Sequence, residues 1–136
     1  MDGMISLSIV TPEKRLVSDQ VNEVRAPGAE GSFGVLPGHT PFLTLMAPGG
    51  LVLRRGTVLE TYAVGAGFVE VSNDAVNVLT ESAVKATEID LQAVRAELAD
   101  LQGKLRSLAT TDPTYKGLAI RAAWAQARIN VAEQKG

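Results

Sequence analysis

The stretch Lys85-Ala86-Thr87-Glu88-Ile89-Asp90-Leu91 marks the point at which the sequence changes from one periodicity to another. Before it, apolar residues alternate with polar ones at a period of two, which is typical of half-buried β-strands. After it, apolar residues recur at intervals of three and four, which is typical of amphipathic helices. The sequence therefore predicts an α+β chain with a β domain over residues 1–86 and a helical domain over residues 87–136.

The first part contains about nine short segments with strand character, at the spacing expected of an all-β domain. These segments are Ile5–Ile9, Arg15–Ser18, Val21–Ala26, Phe33–Val35, Phe42–Ala47, Leu51–Arg54, Val58–Val64, Phe68–Val71 and Val76–Thr80. The residues between them favour turns: Pro27-Gly28, Pro37-Gly38, Pro48-Gly49-Gly50, Arg55-Gly56 and Asn73-Asp74. Because no helical pattern interrupts the segments, the sequence predicts an antiparallel β-sandwich or flattened barrel.

The second part predicts two helices. Thr87 to Asp90 resembles a capping box, with Asp in place of the usual Glu, and opens a helix that runs to about Ala109. Asp112 and Pro113 suit the start of a second helix. The apolar seams are Leu91, Val94, Leu98, Leu101, Leu105 and Leu108 in the first helix, and Tyr115, Leu118, Ala122, Ala125, Ile129 and Ala132 in the second. The short connection predicts an antiparallel hairpin.

The predicted hairpin has marginal stability. Its second seam consists mostly of small residues, which bury less apolar area than leucine does. Gly103 and Gly117 each cost roughly 1 kcal/mol relative to alanine inside a helix. Two interpretations remain open at this point: a hinge that lets the hairpin move, or tight packing with two tolerated glycines.

The residue types that support catalysis or metal binding are scarce. The chain of 136 residues has no cysteine and a single histidine, His39, so a transition-metal site would need several carboxylates around that residue. Ser32 lies outside any nucleophile elbow, and Gly65-Ala66-Gly67 lacks the rest of a dinucleotide fingerprint. The net charge of -2 argues against nucleic acid. We expect a non-catalytic protein without metal or cofactor.

No run of residues approaches the ~18 consecutive apolar residues that a membrane span needs. Any contact with a membrane is therefore expected to go through partners. A free-standing adaptor or scaffold that dimerises through a coiled coil is an alternative, since Leu98 and Leu101 have heptad spacing. A small-molecule enzyme would need a deep cavity, for which Glu30 and His39 are the candidate lining residues.

Four stretches resemble the signature regions of ATP synthase epsilon chains: residues 9–13 (IVTPE), 26–41 (APGAEGSFGVLPGHTP), 65–71 (GAGFVEV) and 78–83 (VLTESA). They are followed by Ile89-Asp90 at the opening of the helical hairpin, which is also similar to the family. The order and spacing fit, so the resemblance covers essentially the whole chain, and the long Pro-Gly segment is its most specific part.

The resemblance implies a non-catalytic central-stalk subunit that couples proton flow to ATP synthesis. The sandwich of such a subunit binds the gamma subunit and the polar loops of the c-ring, and Glu30, Gly31, Ser32 and His39 match the region of contact. Family members often have an acid where this chain has Ser32, so a charge-based contact is not expected there. The resemblance also implies a peripheral location on the cytoplasmic face of the bacterial inner membrane.

The same resemblance implies that the hairpin either folds onto the sandwich or extends into the catalytic alpha and beta subunits, where it restrains ATP hydrolysis. Arg121 and Arg128 on the basic second helix are the residues expected to meet acidic surfaces there. Some members bind ATP through an Ile-Asp-x-x-Arg-Ala motif, for which Asp90 and Arg95 are the candidates. Two additional residues separate them in this chain, which rotates the arginine by about 200° around the helix, so nucleotide sensing in that form is not expected.

Overall fold

The computed structural model describes residues 3–39 and 41–135; Thr40, which belongs to the stretch 26–41, lies outside the described residues. Within this part of the chain there are ten strands: β1 Ile5–Val10, β2 Arg15–Val21, β3 Glu23–Gly28, β4 Gly31–Val35, β5 Phe42–Met46, β6 Gly49–Arg55, β7 Val58–Val64, β8 Gly67–Ser72, β9 Ala75–Thr80 and β10 Ala83–Lys85. A short 3-10 helix, Ala86–Glu88, leads into α1 (Leu91–Arg106) and α2 (Tyr115–Lys135). The predicted α+β class, with a β-sandwich followed by a helical hairpin, is confirmed.

The strands form one sheet in the order β10-β7-β6-β3-β5-β8-β9-β1-β2, with β4 paired to β3 beside this path. The pairing is antiparallel except between β1 and β9, which run parallel with Leu7 opposite Val76. This one parallel pair departs from the otherwise antiparallel sandwich that the sequence predicts. A hairpin connection makes neighbouring strands antiparallel, whereas β1 and β9 are far apart in sequence and no hairpin fixes their relative direction.

The core of the sandwich consists of the alternating apolar residues that the sequence indicates. Ile5, Leu7 and Ile9 on β1 are at most 1% exposed, and their polar neighbours Ser6 and Ser8 point outward. The other strands contribute mostly β-branched residues to the same cluster: Val21, Val24, Val35, Val64, Val69, Val71, Val76 and Val78, together with Leu51 and Leu53. This alternation fixes which face of each strand is left for contacts with other chains.

Two predicted turns are strand residues instead. Pro27 and Gly28 end β3, and Gly49 and Gly50 begin β6. A Cβ on Gly49 would lie 2.9 Å from the Cβ of Pro27, so the close approach of these residues selects glycine without requiring a turn. The two-residue turn at Asn73-Asp74 is confirmed, and both residues adopt positive φ angles of 50° and 58°.

The first helix begins later than the sequence suggests. Asp90 is its N-cap, and a carboxylate oxygen of Asp90 accepts a hydrogen bond of 3.1 Å from the backbone N–H of Ala93. Thr87 instead lies in the 3-10 helix, so the capping box is wrong and Asp90 caps alone. At the other end of the hairpin, Asp112 accepts hydrogen bonds from the N–H and the hydroxyl of Thr114, just before α2 starts at Tyr115.

The two helices pack through the predicted leucine and alanine seams. Val94, Leu101, Ala125 and Ile129 are buried between them, and Leu98 is partly buried beside this cluster. Leu101 is only 1% exposed, so the seam that the adaptor hypothesis needs for dimerisation is covered by α2 of the same chain. Among the described residues, no helix is both long and apolar enough to cross a membrane.

A second face of α2 packs on the sandwich, which the seam analysis does not predict. Val131 is buried with Ala63 of β7 and Ala86, and Trp124 packs against the same cluster. Gly50 of β6 lies directly below, since a Cβ at this position would be 3.1 Å from a methyl carbon of Val131. The hairpin is therefore folded onto the sandwich, and a glycine in β6 permits the close approach.

Candidate functional site

The turn that joins β3 to β4 projects a short polar segment from the sandwich. Ala29 and Glu30 form the turn, with Gly28 opposite Gly31, and Glu30, Gly31 and Ser32 are all exposed. Gly31 has a φ of 130°, which an L-residue rarely adopts. A Cβ on Gly28 would lie 2.6 Å from the Gly31 carbonyl oxygen, so both glycines are needed for this turn. The segment presents hydrogen-bonding groups in a fixed geometry.

His39 lies near this turn in an aromatic cluster. Its ring centroid is 5.0 Å from that of Phe42, which in turn meets Phe33 edge to face at 5.2 Å. The loop before it is held by a hydrogen bond of 2.7 Å from the Gly38 N–H to the Asp74 carboxylate. These contacts place an exposed imidazole at a defined position beside β5.

Glu30, Gly31 and His39 line one depression of about 540 Å³, together with Phe33 and Phe42. The depression is open to solvent, whereas an enzyme site would be a deep and largely enclosed cleft. Over residues 3–39 and 41–135, no group of three or more His, Asp or Glu side chains is placed to hold a metal ion. The depression thus presents both polar groups and apolar carbons to solvent.

An apolar stripe crosses the outer face of the sheet beside the turn. We call the row Leu45, Phe68, Leu79 and Val10 the apolar stripe, because these residues are aligned in register across β5, β8, β9 and β1. Leu45 is 56% exposed, and Phe68 and Leu79 are each 49% exposed. Neighbouring strands are ~4.8 Å apart, so the stripe extends roughly 15 Å. Leu45 also borders the depression at His39, which makes the two surfaces continuous.

The next row on the same face is polar, apart from Leu43 at its edge. Glu70, Asn77, Ser8 and Ser18 follow one another across β8, β9, β1 and β2. The apolar stripe is therefore a local feature of this face. Sequence reasoning missed it, although one signal was present: Leu43 and Leu45 are apolar at positions that alternate with the inward-facing residues of β5.

The hairpin residues fall into two groups. Arg128 and Asp90 border one groove between the hairpin and the sandwich, whereas Arg95 does not line that groove. Arg95 instead forms an ion pair with Glu133 of α2 at 2.6 Å, and Asp90 caps α1. Arg121 is exposed on α2, two turns from Arg128. The structure thus separates the two candidate nucleotide residues, as the spacing of the motif suggests.

The family of the chain follows from comparison with known proteins. The family model described as the β-sandwich domain of the ATP synthase delta/epsilon chain matches residues 4–86. This match defines the class as a delta or epsilon chain of ATP synthase.

Individual relatives show which of these two kinds of chain it resembles. The ATP synthase epsilon chain of Myxococcus xanthus (strain DK1622) is 45% identical over 112 residues, which is 82% of each chain. The ATP synthase epsilon chain of Anaeromyxobacter sp. (strain K) is 44% identical over 128 residues, which covers 94% of this chain and 97% of the relative. The chain belongs to the ATP synthase epsilon chain family and is a subunit of that complex.

Solved structures share the fold. A chain in the Euglena gracilis mitochondrial ATP synthase (OSCP/F1/c-ring, rotational state 1) aligns with a TM-score of 0.76 at 23% identity, covering 99% of this chain and 82% of that one. A chain in the Tetrahymena thermophila mitochondrial ATP synthase (central stalk/c-ring) aligns with a TM-score of 0.66 at 18% identity, covering 94% and 96%. These alignments show that the chain shares its fold with chains of two mitochondrial ATP synthase assemblies.

Proposed function

We propose that this chain is a non-catalytic central-stalk subunit, whose sandwich docks onto the gamma subunit and the c-ring and whose hairpin regulates ATP hydrolysis. The observation that carries the proposal is the apolar stripe, which lies on the outside of the sandwich in a chain of the ATP synthase epsilon family. In this proposal the subunit transmits rotation between its partners and has no active site of its own.

The apolar stripe is the proposed contact for gamma. Leu45, Phe68 and Leu79 form a connected apolar surface with a polar row beside it, which is the composition of a protein interface core and its rim. Full burial of a leucine or phenylalanine side chain is worth roughly 1.5–3 kcal/mol, so covering the three half-exposed residues gains several kcal/mol. Leaving the stripe in water would forgo that gain.

The turn at Glu30, Gly31 and Ser32 and the side chain of His39 form the proposed contact for the polar loops of the c-ring. These residues are exposed, polar and held in place by the glycines and the aromatic cluster. Because Ser32 carries no charge, this contact relies on hydrogen bonds and on Glu30. The subunit would lie peripherally at the cytoplasmic face of the bacterial inner membrane through these partners alone.

The hairpin is the proposed regulatory part. It is folded onto the sandwich here, and we propose that it extends toward the alpha and beta subunits and restrains ATP hydrolysis, with Arg121 and Arg128 facing acidic surfaces. The α1 seam, which includes Leu98 and Leu101, meets two alanines of α2, Ala122 and Ala125, besides Leu118 and Ile129. We propose that this partly small interface permits two packings that differ by only a few kcal/mol. Nucleotide sensing through Asp90 and Arg95 is not part of the proposal, since these residues do not share a groove.

Co-purification with gamma tests the docking surface. Phe68→Asp and Leu79→Asp each place a charge in the stripe, and we expect each to abolish capture of gamma at micromolar concentration. Leu59→Asp is the matched control, because Leu59 is 64% exposed on β7, away from the stripe. Equal capture by the stripe variants and the control would refute the assignment.

For the hairpin, truncation after Ala86 is expected to raise the ATPase activity of the assembled complex.

A further inference from the structure

Arg128 lies where three parts of the molecule meet. On α2, Ala125 and Ile129 face α1, while Trp124 and Val131 face the sandwich. At 100° per residue, position 128 falls between these two faces. The Arg128 side chain is only 15% exposed, although it carries a permanent charge.

Glu97 and Trp124 compensate that charge. A guanidinium nitrogen of Arg128 lies 2.7 Å from a carboxylate oxygen of Glu97 on α1, and the guanidinium carbon lies 5.0 Å from the centroid of the Trp124 ring. Trp124 itself packs against Ala63, Ala86 and Val131 at the surface of the sandwich. Arg128 therefore links α1 directly, and the sandwich through the Trp124 ring.

A second ion pair joins the same two helices and provides an internal comparison. Arg95 and Glu133 approach to 2.6 Å, but their side chains are 56% and 48% exposed. Water and salt compete for such a pair, so its net contribution is small. In the pair between Glu97 and Arg128 the arginine is 15% exposed and the carboxylate 38% exposed, so removing Glu97 leaves a largely buried guanidinium without its charged partner.

We infer that Glu97, Arg128 and Trp124 form a latch that holds the hairpin on the sandwich, and that the pair between Arg95 and Glu133 does not. The inference rests on the proposed regulatory function in one respect: a carboxylate of a catalytic subunit could engage Arg128 only after Glu97 releases it. Glu97 then binds the Arg128 guanidinium in the folded form, and the carboxylate of the catalytic subunit binds it in the extended form.

Thiol labelling of the full-length chain tests the latch. Ala127 is 5% exposed on the face of α2 that meets the sandwich, and the chain has no cysteine of its own, so Ala127→Cys gives a single reporter. When opening is fast and reversible, the labelling rate follows the population of the open form. We expect Glu97→Gln, which nearly preserves the shape of the side chain, to raise the labelling rate about tenfold. We expect the same increase for Arg128→Gln.

The matched controls are Arg95→Gln and Glu133→Gln, for which we expect less than about a threefold change. The double variant Glu97→Gln with Arg128→Gln should label about as fast as either single variant, because both changes break the same interaction. Equal rates for the latch variants and the controls would overturn the inference. If Arg128→Gln lowers the helical signal in circular dichroism, the labelling rate of Glu97→Gln alone tests the inference.

ATPase activity of the assembled complex separates the latch from the regulatory proposal. Faster labelling of Glu97→Gln together with lower ATPase activity supports both. Faster labelling with unchanged ATPase activity supports the latch and argues against hydrolysis control by the hairpin. Unchanged labelling overturns the latch whatever the activity.

Discussion

Replacing Gly50 by valine should release the hairpin while leaving the sandwich intact. A Cβ at Gly50 would lie 3.1 Å from a methyl carbon of Val131 and 3.8 Å from one of Thr61, so the two additional methyl groups of valine overlap with α2. Overpacking of this kind costs about 2 kcal/mol, which corresponds to a roughly 30-fold larger population of the undocked hairpin. Gly50 is the second residue of β6, opposite Ala63 of β7, and valine has the better β propensity there.

The labelling rate of Ala127→Cys measures this change, and thermal unfolding followed by circular dichroism checks the sandwich. Gly34→Val is the matched control, because Gly34 also lies in a strand and its nearest neighbour is the flexible end of Arg25. We expect the Gly50 variant to label about 30-fold faster than the control at a similar melting temperature of the β domain. A ratio close to one would refute the docking geometry, and loss of the β domain would refute the claim that Gly50 serves only the hairpin.

Two further changes test the hairpin and the sandwich separately. Gly117→Ala should stabilise the chain by about 1 kcal/mol in urea unfolding, because no atom lies within 4 Å of the added Cβ and alanine favours the helix; a destabilised variant would contradict this. Burial, and then the charge of Glu60, raise the pKa of Tyr62 above its ordinary value of about 10. The folded state therefore holds its proton longer, and stability that is complete below pH 10 is lost as the pH rises through the raised pKa. Tyr62→Phe should lose less stability between pH 10 and 12 than the parent chain, and equal losses would show that another group titrates.

The alternation of apolar and polar residues made the strands of the sandwich predictable, but it did not predict every pairing between strands. Ile5, Leu7 and Ile9 alternate with serines, so the core face of β1 follows from the sequence. The parallel pairing of Leu7 with Val76 does not, because no short connection links the two strands. The three-residue strand β10 was missed for a related reason, since its pairing with β7 depends on where the chain leaves the sandwich.

The candidate site was predictable in part. The glycines at 28 and 31 indicate a turn that displays Glu30 and Ser32, and the resemblance to epsilon chains gives that turn a role. The apolar stripe was not predicted, since Leu45, Phe68 and Leu79 come from three separate strands and become neighbours only through the register of β5, β8 and β9. A single strand shows only that its outer face is unusually apolar.

The sequence by itself determined the change from strands to helices, the leucine and alanine seams and the family. These features depend on local periodicity and on contiguous motifs, which are written along the chain. The tertiary structure decided that a second face of α2 covers Gly50, that Arg128 pairs with Glu97, and that Arg95 pairs with Glu133. Each of these joins residues that are distant in sequence, and their energies depend on distance and burial, which only the packed chain defines.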